Sequence, residues 1–417
     1  MTPAGLALEA RGASREAAVG AGTVLRRRLN SVAAPSTVTR PRALGSLTGI
    51  RGAAALWVLC YHAQQQAGST FGLPQLERIP EFRTGWHGVD LFFILSGFIL
   101  MYAHERDFAR LEWGNAIRFA RLRFLRIYPV NAAVLLLIAG MVALEPGYVL
   151  WARSMYGPHT YTAGAFVATL LLATRWFIPV PGDWNQPVWS LSLEVLGYAV
   201  FPLLAWQATK IRSRWALAAI AAASLGVGTV ILRWTSYEGD IMQPAVVRLA
   251  SCFVAGIAVY RLWRLTEGLR AVWPRAICAA AVTGIVLSSA GLLQIGPAAQ
   301  DGSQMNFLFA AMLYGLAFER GGINRLLASR AAVFLGRISF PLYLVHMPML
   351  LWLRYTMLGH ASRYSTAEKA AALAAWAVAS VGVATLLHVA VEKPCHRLAR
   401  QWAGSGAGRP TSPIREG

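Results

Sequence analysis

Long apolar runs separated by short basic or Gly/Pro-containing segments dominate the chain. Ten of them, at about 48–66, 88–104, 128–145, 188–206, 215–233, 245–264, 274–294, 305–319, 338–356 and 369–391, come near the roughly 20 apolar residues a helix needs to cross a ~30 Å hydrocarbon core. The pattern predicts an all-α polytopic membrane protein with about ten transmembrane helices in one bundle. An additional run, AGAFVATLLLATRWFIPV at 163–180, decides parity, because a full crossing there inverts every later loop.

Charge placement chooses between the two topologies. With 163–180 re-entrant or interfacial and the N-terminus inside, 29 of the 39 Lys and Arg fall in inside segments, eight outside, and two, Arg51 and Arg248, within spans. Eleven crossings would put KIRSR, RLWRLTEGLR and RGGINRLLASR outside, against the bias that orients membrane proteins. The expected arrangement is therefore multi-pass in the cell (inner) membrane, with both termini cytoplasmic. Residues 1–45 are rich in Ala, Ser, Gly and Arg, and their resemblance to a transit peptide is explained equally well by a basic disordered cytoplasmic tail, the preferred reading. Residues 46–395 form the transmembrane domain and 396–417 a short cytoplasmic tail, with no second soluble domain expected.

Composition agrees: 56% of residues are hydrophobic and 14% charged, against about a quarter charged in a soluble domain. A net charge of +20 would suggest nucleic acid in a soluble protein, but these arginines lie between apolar runs, so membrane lipids and not nucleic acid are the expected contact. Cys60, Cys252, Cys278 and Cys395 lack paired spacing and read as apolar fillers, and no metal site is expected.

Against this background the ionisable residues inside spans carry the candidate chemistry. In TGIRGAAALWVLCYH, Arg51 and His62 are eleven residues apart, which places them on one helix face about 16.5 Å apart in depth. Arg51 reads as a snorkelling anchor or an anion ligand, and His62 as an interior hydrogen-bonded histidine or a base. Asp90, opening the next span, is either a helix-terminal cap or the group that orients His62. RFARLRFLRIYP, in the loop before the third span, holds Arg123 and Arg126 on one helix face, with Arg118 and Arg121 beside them; the pair suits phosphate, and lipid headgroups are the plainer alternative. Glu194, in WSLSLEVLGY with Ser190 and Ser192 nearby, is costly at membrane depth unless it faces the interior. His346 in the ninth span reads as structural rather than catalytic, and Glu392 as the partner of a nearby arginine.

Guanidiniums at the inner side and a histidine with two carboxylates in the outer half suit a long anionic donor that binds by its phosphates and projects a reactive arm. Coenzyme A has that layout, and His62 would then be the base that deprotonates an acceptor hydroxyl as it attacks the thioester. From about 46 to 400 the chain also resembles the bacterial membrane-bound acyltransferase family 3. LTGIRGAAALWVLCYH is similar to its R-x10-H motif and RLRFLRIYP contains its R-x-x-R; GVDLFFILSGF, PVWSLSLEVLGYAVFP, GRISFPLYLVHMP and VEKP follow in order. The resemblance implies O-acylation of a saccharide or glycosylated product from acyl-CoA, most simply acetyl-CoA. It makes His62 the catalytic histidine, Arg51 its partner arginine, Arg123 and Arg126 the acyl-CoA pair, and places Asp90 and Glu194 at acidic positions of less settled role. Because the chain ends about 26 residues after its last span, a stand-alone acyltransferase is expected. Acylation of a small metabolite such as a macrolide or glycolipid, and a transporter or flippase for a lipid-linked anion, are the alternatives. Trp86, Trp151, Trp176 and Trp184 are available to stack on sugar rings or to anchor at the interface.

Overall fold

The computed structural model describes residues 45–68, 70–176, 183–235, 242–270, 272–293, 303–319, 321–358 and 364–404. The basic tail expected over 1–45 lies almost wholly outside the described residues, as do 177–180 of the parity-deciding run and 405–417. The described chain is helical, with no strand among the described residues. Apart from four helical pieces of five residues or fewer, its helices are α1 (Gly45–Ala67), α2 (Gly88–His104), α3 (Trp113–Leu144), α4 (Pro146–Tyr156), α5 (Ala163–Leu170), α6 (Val188–Lys210), α7 (Arg214–Thr235), α8 (Met242–Thr266), α9 (Val272–Ser289), α10 (Gln304–Leu316), α11 (Gly322–Leu327), α12 (Arg330–Leu358), α13 (Thr366–Leu387) and α14 (Lys393–Gly404). Eight of them are long and apolar enough to cross a membrane, and α1 and α10 stand at the other two expected spans. The protein is an all-α polytopic membrane protein.

Two helices differ in length from the expected spans, and a third lies within the parity-deciding run. α3 runs for 32 residues and joins the arginine-rich stretch, expected as a separate segment between spans, to the third span without a break. Arginine and leucine are good helix formers, and the first proline is Pro129, so nothing breaks the helix before the span begins. At about 48 Å it is longer than the hydrocarbon core, which leaves its arginine-bearing first turns beyond the apolar zone. α10 has 13 residues, about 20 Å. α5, within the parity-deciding run, has eight residues and reaches only about 12 Å.

The packing has two cores. One gathers buried side chains of α2, α8 and α10, including Phe98, Phe253 and Phe309; the other gathers α3, α4, α12 and α13, including Val134, Tyr148, Leu344 and Ala384. α1 and α6 contribute to both: Val58 and Leu193 face the first core, Leu59 and Leu191 the second.

Two close helix pairs set the frame. A Cβ on Gly52 of α1 would lie 2.7 Å from the Gly336 amide nitrogen of α12, and one on Gly336 would collide with the Thr48 carbonyl. Bare backbone is thus required where these helices meet. α2 and α8 touch the same way, Gly97 against the Phe253 carbonyl and Gly256 against that of Ile94. Beside this contact Arg248 pairs with Asp90 toward one end and Arg261 with Glu105 toward the other. Gly336→Val is expected to lower stability by about 1–3 kcal/mol through overpacking. Thermal unfolding of the purified protein checks it against Gly382→Val, where a Cβ meets nothing within 4 Å and the midpoint should stay put.

Candidate active site

A cavity of about 330 Å³ opens between α1, α2, α3, α6 and α12, and Arg51, Arg123, Arg126 and Glu194 all line it. Two arginines come from α3, where i, i+3 spacing turns them to one side, and the third from α1. Arg51 makes no hydrogen bond among the described residues. Arg123 lies over the Phe119 ring at 5.5 Å and the Tyr198 ring at 5.9 Å; its Nη2 is 3.4 Å from His104 Nε2, and its Nε is buried without a partner. Arg126 directs Nη1 at His396 Nε2, 3.0 Å away, with Glu392 Oε1 at 3.7 Å, the arginine partner expected for that glutamate. Glu392 is held in turn by His388 at 2.6 Å. Three guanidiniums with open donor positions on one wall have the chemistry that suits an anion.

Glu194 lies with these arginines rather than beside His62. Its Oε1 accepts hydrogen bonds from the Ser96 hydroxyl and the Tyr198 hydroxyl, both at 2.7 Å. One carboxylate facing three guanidiniums offsets part of their mutual repulsion and leaves the cavity cationic.

The partner of His62 is His346. His346 Nε2 is 3.1 Å from His62 Nδ1, with ring centroids 5.0 Å apart. Each Nδ1 also meets a carbonyl one turn back on its own helix: His62 meets Val58 at 3.0 Å and His346 meets Leu342 at 3.1 Å. Carbonyl oxygens only accept, so in the neutral rings both Nδ1 atoms carry the proton and both Nε2 atoms present lone pairs. The single His62 Nδ1 proton is shared between the Val58 carbonyl and His346 Nε2, and the lone pair of His62 Nε2 is left for chemistry. The Trp376 indole donates to the His346 carbonyl at 2.9 Å and ties α13 to this turn of α12. Between the cavity and the histidine pair stands Tyr343, which lines the cavity, lies 5.8 Å ring to ring from His346, and bonds Ser190 Oγ at 2.8 Å. With the Ser190 proton directed at the Pro187 carbonyl, 3.1 Å away, Tyr343 is the donor in that bond.

One expected role is corrected. Asp90 makes no contact with His62; it accepts from Arg248 Nε at 2.9 Å and lies 3.2 Å from His87 Nδ1. Its place in the first turn of α2 favours a negative charge, and its partners make it a buried inter-helix lock. Ser192 is fully buried and supports a loop: its hydroxyl accepts from the Arg175 amide at 3.1 Å and its carbonyl from the Trp176 indole at 2.9 Å. The tryptophans considered for sugar stacking are engaged as well, Trp86 on His87 at 3.6 Å and Trp184 with Tyr161, Phe166 and the Thr162 carbonyl. Arg248 had been counted inside a span without a role; its guanidinium lies 4.8 Å from the Trp86 ring and 5.4 Å from that of Trp189. A charge in an apolar run was the available signal. Outside the spans, burial works against ionising Asp107, but hydrogen bonding from His104 and the nearby Arg118 guanidinium hold its carboxyl below its ordinary range.

Residues 44–391 match the family pattern described as an acyltransferase domain. The chain belongs to the membrane-bound acyltransferase family 3. Over 389 residues it is 32% identical to acyltransferase MdmB of Streptomyces mycarofaciens, covering 85% of this chain and 92% of that protein. It is 31% identical over 166 residues to protein 2 in the picA locus of Rhizobium radiobacter, 37% of this chain and 78% of that one. O-acetyltransferase OatA of Staphylococcus aureus is 26% identical over 176 residues, 39% of this chain and 25% of OatA. No solved structure matches. The protein is thus a membrane-bound acyltransferase, with relatives named for acyl and O-acetyl transfer.

Within this family member the Asp90–Arg248 pair is structural. Asp90→Asn, which leaves a guanidinium buried without its counter-charge, is expected to cost about 3–5 kcal/mol of stability. Asp90→Asn/Arg248→Met should recover most of it, and thermal unfolding of the two variants checks the assignment.

Proposed function

We propose that the enzyme transfers an acyl group, most simply acetyl, from acyl-CoA to a hydroxyl of a saccharide or glycosylated product. The single observation that carries this is the convergence of Arg51, Arg123 and Arg126 on one cavity between helices, with His62 eleven residues beyond Arg51 on the same helix. The anionic end of the donor binds the three guanidiniums, and its pantetheine arm runs along α1 toward Tyr343 and the histidine pair, a rise of about 16.5 Å. The Lys/Arg distribution supports a basic end in the cytoplasm of the cell (inner) membrane, with both termini there and the acceptor arriving from the other half.

In the transfer step His62 Nε2 takes the proton of the acceptor hydroxyl as its oxygen attacks the thioester carbonyl carbon. A tetrahedral adduct forms, its C–S bond breaks, the ester leaves with the acceptor, and the coenzyme A thiolate recovers the proton from His62. When His62 becomes an imidazolium, His346 Nε2 accepts its Nδ1 proton in a charge-assisted bond, so His346 acts as a positioning residue. No metal enters this scheme.

Purified protein is expected to release coenzyme A from acetyl-CoA only when an acceptor is present, and His62→Ala should lower kcat by about 10²–10⁴ in folded protein. Full turnover in that variant would exclude the base. Arg123→Ala and Arg126→Ala should each raise KM for acyl-CoA by about tenfold or more, the size of a lost charged hydrogen bond. His346→Leu should lower kcat by about a hundredfold with KM for acyl-CoA unchanged, because only alignment of the base is lost. His346→Gln keeps an acceptor and should retain more activity; equal loss in both variants would return His346 to a packing role. Acceptor-independent movement of a labelled lipid-linked anion across proteoliposomes would instead favour transport.

A further inference from the structure

α3 carries a second basic stripe beside the one that faces the cavity. Arg118, Arg121, Leu122 and Leu125, at i, i+3, i+4 and i+7, share a face turned from that of Arg123 and Arg126, and with Ala399 and Trp402 of α14 they wall a cleft of about 490 Å³. Arg118 gives one bond to Asp107, at 2.7 Å, and retains further donors. Arg121 is exposed and makes no hydrogen bond among the described residues.

Glu112, Asn115 and Ile117 also line the cleft, and apolar side chains on the same two helices are open. Trp113 is 80% exposed and Trp402 61%, and Ile117, Phe124 and Leu398 are exposed around them. Large indoles and aliphatic side chains beside arginines mark the depth where hydrocarbon gives way to headgroups. α14, with Lys393 and Arg397 among its polar residues and Leu398 and Trp402 among its apolar ones, has the composition of a helix lying in that layer. A ligand suited to two guanidiniums, two leucines and an indole carries an anion joined to an apolar tail.

We infer that this cleft binds one anionic phospholipid, its phosphate on Arg121 and Arg118 and an acyl chain along Leu122 and Leu125. A basic pocket between helices at one membrane face suits such a headgroup. The lipid clamps α14 against α3, and α14 carries His396, which faces Arg126 at 3.0 Å and follows Glu392. Occupancy therefore supports the group proposed above to bind the donor. That coupling rests on the donor role of Arg126; the lipid site itself does not.

The full-length protein, delipidated and reconstituted with phosphatidylglycerol or phosphatidylcholine of the same chains, provides the test. Native mass spectrometry should show one phosphatidylglycerol retained in preference to phosphatidylcholine, with affinity reduced about fivefold in Arg121→Gln and preserved in Arg121→Lys. Equal retention in wild type and Arg121→Gln overturns the site. Displacement of the lipid by adenosine 3′,5′-bisphosphate, an anion without a tail, also overturns it and assigns the cleft to a free anion. The apparent KM for acetyl-CoA should be lower in phosphatidylglycerol bilayers than in phosphatidylcholine bilayers, and this difference should shrink in Arg121→Gln. Selective lipid binding with no change in KM overturns the coupling alone and leaves the lipid site standing.

Discussion

The close approach of α1 and α12 is the constraint on which the site depends. Gly52 and Gly336 meet backbone to backbone, and ten residues further along each helix stand His62 and His346. The two helices run in the same direction, so equal offsets rise by about the same 15 Å and bring the imidazoles level. A side chain at the crossing would push the axes apart and with them the 3.1 Å contact between the imidazoles. The alignment of the two rings thus depends on two residues with no side chain, about 15 Å away.

Charge inside the bundle is arranged by the same logic. An ionised group in hydrocarbon is costly unless paired, and most of the interior charges have partners. Asp90 and Arg248 lock one end of the α2–α8 pair and Glu105 and Arg261 the other, around the glycine contact between them. The cavity departs from this rule, with three guanidiniums and one glutamate on its wall. Arg126 has Glu392 as a partner, but Arg51 and Arg123 pair with no carboxylate among the described residues, so this region stays under-neutralised.

Features that repeat along one helix were legible in the sequence. Apolar runs gave the spans because membrane thickness sets their length, and the depth of His62 relative to Arg51 follows from a fixed rise per residue. Features that depend on which helices touch were hidden. His346 is 284 positions from His62, and Arg248 is 158 from Asp90. No local spacing encodes such a pairing, so Asp90, near His62 in depth, was credited with a contact that His346 makes. Glu194 was placed in the outer half from its distance to the helix start, yet the cavity puts it opposite Arg51. The helix face shared by Arg123 and Arg126 was legible from their i, i+3 spacing, whereas the unbroken run of that helix into the span was not, although its residue types favour helix up to Pro129.

The hydrogen bond from Tyr343 to Ser190 stands on the cavity wall, with the Tyr343 ring beside that of His346. Tyr343 donates to Ser190 and Ser190 to the Pro187 carbonyl, so the two hydroxyls need no water for their protons. On the proposed donor route an incoming pantetheine arm has to part them before its carbonyl reaches His62. The tyrosine then doubles as a stopper against wasteful hydrolysis: solvent from the basic end meets the stopper and not a thioester lying beside an imidazole. Economy in donor use would in that case reside in one neutral hydrogen bond, and not in any of the charged residues around it.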